Sequence, residues 1–201
     1  MTRAELLTLF ERYLKRNDLT DMYSDFLLMA EARLNTVLRL TEMEKRSTST
    51  PTDGFWSLPT DLLELRHIQA TASSTAYPLE YVTPEQADEK RRLLSGNYKF
   101  YTLLANSIEI IPHPTADSTS EVEIFYYAKL SALTDSEDTN DIVTNYPNLY
   151  LYALLAEAAT YREAITQAEG YLQLFNGYVD DLNTRAQAAR FSGNSMQMRA
   201  V

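Results

Sequence analysis

The sequence predicts an α+β fold that is mainly α: an antiparallel helical bundle, an inserted small antiparallel β domain carrying one helix, and an extended C-terminal tail. Three observations predict it. Near both ends of the chain apolar residues recur at three- and four-residue steps, the mark of a one-sided helix. Between those regions the period falls to two, as in a half-buried strand. The chain has 201 residues, 45% hydrophobic and 23% charged. A chain of that length buries roughly 70% of its unfolded surface and needs no covalent staple.

Taken in order, Leu6, Leu7, Phe10, Tyr13 and Leu14 form one helical stripe, broken by Asn17 and Asp18. Tyr23, Phe26, Leu27, Ala30, Leu34, Val37 and Leu38 form a second, and the short connection predicts that the two helices pair as a hairpin. The polar run STSTPTDG at 47–54 reads as a linker. Strands are expected at residues 63–70, 77–82, 98–104 and 107–111. Another is expected where Val122, Ile124, Tyr126 and Ala128 alternate with Glu121, Glu123, Phe125 and Tyr127. Residues 84–94 read as a helix: Thr83 and Gln86 can form a capping box, Pro84 suits the first turn and Gly96 follows the end. Residues 131–145 read as a second linker. Asn145 is then expected to cap a helix running to Arg162, apolar nearly all round.

The last helix shows the sharpest period. Ile165, Ala168, Leu172, Phe175, Val179, Leu182, Ala186 and Ala189 alternate steps of three and four, an unbroken heptad seam. Gly170-Tyr171 and Gly177-Tyr178 repeat one heptad apart, with the glycines opposite the seam. They mark either plain solvent-facing glycines or a subunit interface where a neighbouring backbone approaches closely. The tail from Phe191 is expected to be mobile when free. From Leu182 onward the chain carries Arg185, Arg190 and Arg199 and no acid. The resulting boundaries are 1–50 and 131–190 for the bundle, 51–130 for the β domain and 191–201 for the tail.

Composition narrows the chemistry. With no cysteine, disulfides, thiol nucleophiles and thiolate metal sites are excluded. Lys plus Arg is 18 against 28 Asp plus Glu, a net charge of −10, which disfavours gripping nucleic acid through clustered cations. The opening Met1-Thr2-Arg3-Ala4-Glu5 has no apolar signal core, and the longest apolar stretch, broken by Glu157, falls short of the ~20 residues of a membrane span. No membrane partner is expected. His67 and His113 lack metal-ligand spacing. Asp135, Glu137, Thr139 and Asp141 mimic a calcium loop, but Asn140 replaces its glycine and Tyr146 its bidentate glutamate. No glycine-rich phosphate loop or nucleophile elbow occurs. The expectation is no enzyme, no catalytic residue, no metal and no cofactor. Fourteen tyrosines, with Tyr146, Tyr150, Tyr152, Tyr161, Tyr171 and Tyr178 on the two late helices, suit partner surfaces instead.

The order of these elements carries a resemblance. A helical hairpin precedes Trp56-Ser57-Leu58-Pro59-Thr60-Asp61, then Ile110-Ile111-Pro112, Phe125-Tyr126-Tyr127 and Leu130-Ser131. Thr139-Asn140, Pro147-Asn148-Leu149-Tyr150-Leu151-Tyr152 and Leu155-Ala156-Glu157-Ala158 follow. Over about residues 20–185 this pattern resembles the head-to-tail adaptor (connector) proteins of short-tailed bacteriophages, of the tail tubular protein A type. The resemblance implies a structural virion protein at the portal vertex, assembled in the host bacterial cytoplasm. It implies a homo-oligomeric ring, twelvefold in the family, that docks on the portal protein, extends the DNA channel and offers a platform for the tail nozzle protein. Genomic DNA would pass through the lumen without sequence-specific binding. It also implies a portal-binding tail, here Arg190, Phe191, Met196, Met198 and Arg199, while Leu58, Pro59, Asp61, Pro112, Leu149, Tyr152 and Glu157 match the framework of the pattern. The competing reading is a non-viral helical homo-oligomeric binding or regulatory module, which leaves the β insertion unexplained.

Overall fold

The computed structural model describes residues 1–16, 18–72, 74–114 and 120–191, with 190 and 191 as backbone alone. The chain divides into two compact units, one from Met1–Met43 with Leu130–Val201 and the other from Glu44–Lys129. Six α-helices are described: α1 (Arg3–Leu14), α2 (Tyr23–Val37), α3 (Pro84–Leu93), α4 (Asp141–Asn145), α5 (Pro147–Tyr161) and α6 (Ile165–Phe191). All but α3 belong to the first unit. Helices and largely antiparallel sheets together make an α+β protein.

In the first unit α5 is the axis. Leu149, Tyr150, Leu151, Ala153, Leu154, Leu155, Ala156, Ala158 and Ala159 are all buried, so every side of the helix needs a cover. α1, α2, α4 and α6 supply it. The expected hairpin of α1 and α2 is held through α5 as their shared partner, and the two helices meet through Phe10 against Tyr23 (5.8 Å) and Phe26 (6.3 Å). α1 opens with a capping box of Thr2 and Glu5. Of its stripe Leu6 and Phe10 are buried, whereas Tyr13 is half exposed. Arg33 of α2 pairs with Glu157 of α5 through Nε (3.0 Å) and a second nitrogen.

The heptad seam of α6 faces α5 over its middle. Ala168, Phe175, Val179 and Ala186 are buried and Leu172 and Leu182 half-buried, but Ile165 and Ala189 at the two ends are exposed. The seam outruns its partner: α5 has 15 residues and α6 has 27. Asn183 ties α6 to the end of α2, accepting from Arg39 N (3.1 Å) and donating to Val37 O (3.0 Å).

The second expected linker is an ordered strap. Asn35 and Glu31, one turn apart on α2, accept the backbone N–H groups of Leu130 and Leu133, each at 2.8 Å. Asn140 then accepts from Val143 N (2.8 Å) and donates to Ser131 O (2.9 Å) and the Tyr150 hydroxyl (2.7 Å). The cap expected at Asn145 therefore falls at Asn140, one short helix earlier. Asn145 closes α4, and Tyr146 precedes α5 with no side-chain cap bond. Burial holds the Glu31 carboxyl above the usual carboxylate range, opposed by the Leu133 N–H, the Tyr150 hydroxyl and Arg3.

The second unit holds eight strands: β1 (Glu44–Ser49), β2 (Phe55–Ser57), β3 (Leu62–Ala72), β4 (Thr75–Pro78), β5 (Glu80–Tyr81), β6 (Phe100–Leu104), β7 (Ser107–Ile111) and β8 (Glu121–Ala128). They form two four-stranded sheets, ordered β1-β8-β3-β4 and β2-β7-β6-β5. Ile68, Ala70, Ile108, Ile110, Val122, Ile124 and Tyr126 from both sheets share one core. α3, with the predicted Thr83–Gln86 capping box, covers the other face of the second sheet through Ala87 against Val82, Ile111 and Phe100.

Two expectations for this region are corrected. The first three residues of the 47–54 linker, and with them the helical reading of 1–50, give way to strand β1, which pairs with β8 from Glu44↔Tyr127 to Ser49↔Val122, while 50–54 stay a loop. An edge strand is held by backbone bonds on one side, so its side chains can be polar on both faces and show no alternation. The β domain is also not wholly antiparallel: β5 pairs parallel with β6. Antiparallel neighbours can join by a tight turn, but here α3 forms the connection, and a helical crossover returns the chain in the same direction.

Two charged clusters sit inside this unit. Glu123 on the outer face of β8 is buried beneath Arg46 of β1 and Gln69 of β3, and the guanidinium groups of Arg46 and Arg66 lie over the rings of Phe125 (5.8 Å) and Tyr127 (5.4 Å). The two arginine side chains thus cover the aromatic rings on this strand face. On β7, Glu109 accepts from Arg91 Nε of α3 (2.7 Å) and lies 2.9 Å from His113 Nε2. The His113 ring presses on Gly54, whose φ is +85°, and a Cβ there would stand 2.6 Å from its Cδ2.

Two outcomes follow for the first unit. Phe175→Asp replaces a ring that is 1% exposed and should cost about 4 kcal/mol or more, a large share of a typical domain's stability. An unchanged melting curve would contradict the seam. Because its pKa is raised, folded Glu31 binds its proton more tightly than the unfolded chain does. Its contribution is therefore full below the ordinary carboxylate pKa and is lost as pH rises through the raised value. Glu31→Gln keeps an oxygen for Leu133 N and should melt no lower than the parent at pH 7, with a shallower decline on the alkaline side of pH 4.5. A lower melting temperature at pH 7 would refute this sign.

Candidate interaction surface

α6 presents two different long faces. At 27 residues it runs about 40 Å, with the seam on one side. The steps Gly170, Leu174, Gly177 and Asp181 place these residues on the opposite side. Leu174 is 48% exposed and Tyr178 39% exposed. A Cβ added at Gly170 or Gly177 would meet nothing within 4 Å, so nothing described within the subunit requires a glycine at either position.

Tyrosines gather beside this face. The rings of Tyr152 and Tyr178 stack at 5.7 Å with 18° between their planes. The Tyr152 hydroxyl is pushed up by burial first, then by the nearby hydroxyls of Tyr178, Tyr13 and Tyr171. α1, α5 and α6 thus bring four phenols to one patch, with Tyr13 and Tyr178 exposed and Tyr152 and Tyr171 half-buried. Such a patch buries large area with few rotors and leaves polar tips. Elsewhere on the same unit, Leu28 and Met29 of α2 are exposed, and Met29, Ala32, Thr36 and Val37 line a shallow groove above the Arg33–Glu157 pair.

The last turns of α6 border a third feature. Tyr146 donates to Glu42 Oε1 (3.0 Å). Its hydroxyl is raised by burial, then by that bond and the Glu42 charge, against Arg185. Tyr146, Leu182 and Arg185 stand between two cavities. One, of about 230 Å³, is bordered also by Leu40, Thr41, Glu42, Ala186 and Ala189. The other, of about 220 Å³, is bordered by residues 145–149, Tyr178 and Asp181.

The structure therefore brings Gly170, Tyr171, Gly177 and Tyr178 onto one helix, with Tyr171 and Tyr178 joined to Tyr13 and Tyr152. Arg190 and Phe191 are the last helical positions described, so residue 191 belongs to α6 and not to the expected tail. Met196, Met198 and Arg199 lie outside the described residues. Sequence reasoning passed over Leu174, an apolar residue off the heptad seam whose displacement from the buried side was legible. It also passed over the two cavities, of which the first joins residues 40–42 to residues more than a hundred positions later. Among the described residues no group of three or more His, Asp or Glu could hold a metal ion, and no helix is long and apolar enough to cross a membrane.

A family model described as SU10 adaptor protein matches residues 1–199. Comparison with curated proteins finds no match.

Since both helical glycines face open space, Gly170→Ala with Gly177→Ala should stabilise the isolated subunit by about 1 kcal/mol per site. Thermal melting of the double variant checks this, and a lower midpoint would mean that the added methyl groups meet something.

Proposed function

The chain belongs to the SU10 adaptor protein family, a family of phage head-tail adaptors, and from that premise we propose that it forms a ring linking portal to tail nozzle. The match over residues 1–199 carries the proposal. The role is structural: the helical unit forms the ring body, extends the DNA channel and offers the nozzle its platform at the portal vertex. Twelve copies, the number the resemblance implies, complete the ring.

Three physical features support this reading. A ring needs two unlike faces per subunit, because a head-to-tail contact closes a cycle where a self-complementary one stops at a dimer. The glycine-lined face of α6 with its tyrosine patch is one such face, and Gly170, Tyr171, Gly177 and Tyr178 are its contact residues. The exposed apolar residues of α2 supply the other. A net charge of −10 favours a lumen that repels passing DNA. Arg190, Phe191, Met196, Met198 and Arg199 form a basic and apolar segment that engages the portal, by strand addition or through the multivalency of a ring.

Two experiments test it. Deleting residues 191–201 should leave a folded protein that no longer co-sediments with portal rings, and undiminished co-sedimentation rejects the tail's role. Gly170→Gln with Gly177→Gln adds bulk without charge. It should melt no lower than the parent while reducing ring assembly on portals at least tenfold. Normal rings from that variant would remove α6 from the interface.

A further inference from the structure

Leu93 ends α3 with 73% of its surface exposed, more than any other large apolar side chain described. It stands in a basic run: residues 90–99 hold Lys90, Arg91, Arg92 and Lys99 and no acid. Arg91 pairs with Asp88 and Glu109, and the Lys90 ammonium lies over the Phe100 ring at 4.1 Å. Among the described residues Lys90, Arg92 and Lys99 have no carboxylate partner. An apolar tip with free cations is thus exposed on a protein of net charge −10.

The first cavity beside Tyr146 has the opposite character. Leu40, Leu182, Ala186 and Ala189 supply apolar walls, and Glu42 stands at the border. Glu42 accepts from the Tyr146 hydroxyl at 3.0 Å. It has no cation partner among the described residues, since Arg185, on the same border, pairs with Asp181 at 2.7 Å. We propose that Leu93 of one copy seats in this cavity of a second copy, with Arg92 against Glu42. The occupant is a second copy of this chain, and the contact rests on the reading that copies assemble.

Shape and charge agree. At about 230 Å³ the cavity has room for one leucine side chain. A protruding apolar residue and a hollow elsewhere on the molecule are unlike surfaces, so their contact runs head to tail. Copies of net charge −10 repel one another, and close approach needs a local attraction. Complementary patches provide one, setting the orientation and rate of encounter.

Both partners are held in place beforehand, so little order is lost on contact. α3 is fixed through Ala87 on Val82 and Ile111 and through Arg91 on Glu109. The cavity is framed by the bonds of Asn183 to the end of α2 and by Tyr146 on Glu42. The contact adds charge selection to the apolar faces of α6 and α2, because misplaced neighbours bring like charges together.

The absence of native cysteine makes disulfide trapping direct. One copy carries Leu93→Cys and the other Thr41→Cys, both at exposed positions, so a heterodimer reports contact between copies. Thr41 borders the cavity; in the control Thr184→Cys replaces Thr41→Cys, because Thr184 is exposed on α6 and does not border it. Under mild oxidation at high micromolar concentration, the Thr41 pair should cross-link at least tenfold faster than the control. Arg92→Glu beside Leu93→Cys should slow that reaction severalfold, and Glu42→Arg beside Thr41→Cys should restore it. Equal rates for the Thr41 and Thr184 pairs would overturn the proposal, as would a charge reversal without effect or without rescue. With Leu93→Cys and Thr41→Cys in one chain, a ladder of covalent oligomers is expected. A closed monomer instead would put the contact within one copy and overturn the proposal. No portal is present in these mixtures, so failure of the trap and failure of the portal-docking reading are separate results.

Discussion

One constraint organises the helical unit: α5 is apolar on every side and must be enclosed. Its nine buried side chains, from Leu149 to Ala159, leave no face for water. Exposing such a helix would cost about 1.5–3 kcal/mol for each large side chain. α4 and α6 are its neighbours in sequence, but α1 and α2 come from the opposite end of the chain. Closing the core therefore brings Met1–Met43 and the segment from Leu130 together, and Glu44–Lys129 must leave and return between them. The register Glu44↔Tyr127 serves that need, since it sets the entering and leaving strands of the second unit side by side.

The same enclosure explains why α6 has a free face. A helix that covers one side of α5 commits its heptad seam and leaves the opposite side to solvent, where Gly170, Leu174, Gly177 and Asp181 lie. An apolar side chain and two glycines on a solvent face contribute little to the subunit, and the glycines weaken its helix. In a head-tail adaptor, a body whose work is contact, such a face has a use. Two buried carboxylates elsewhere already have partners within their own unit. Glu31 receives Leu133, and Glu109 receives Arg91 and His113. Those clusters brace loops and helices, while the α6 face and the tyrosines beside it remain turned outward.

Local chemistry was readable where it is written in adjacent residues. The Thr83–Gln86 capping box, strand β8 and the central heptads of α6 each depend on spacings of two to four residues, and each appears where the sequence places it, although β8 is buried on both faces rather than one. What escaped reading depends on partners distant in the chain. Strand β1 is polar on both faces and exists because β8, some eighty residues later, offers it a ladder. The strap at 130–140 looks like a solvated linker until Asn35 and Glu31 receive its N–H groups. The parallel pairing of β5 with β6 follows from the helix between them, once that helix is known to lie on the sheet. On the interaction surface, the glycine repeat was visible as a repeat. The tyrosine patch needed three helices to assemble, and the larger cavity beside Tyr146 needed residues from both ends of the unit.

The central claim is that this protein works by shape, adding a layer between capsid and tail. Negative-stain imaging of the protein mixed with its cognate portal tests that claim most directly. The account predicts a discrete extra ring of density stacked coaxially on one end of each portal. Portal rings of unchanged height beside unattached, compact particles would contradict it.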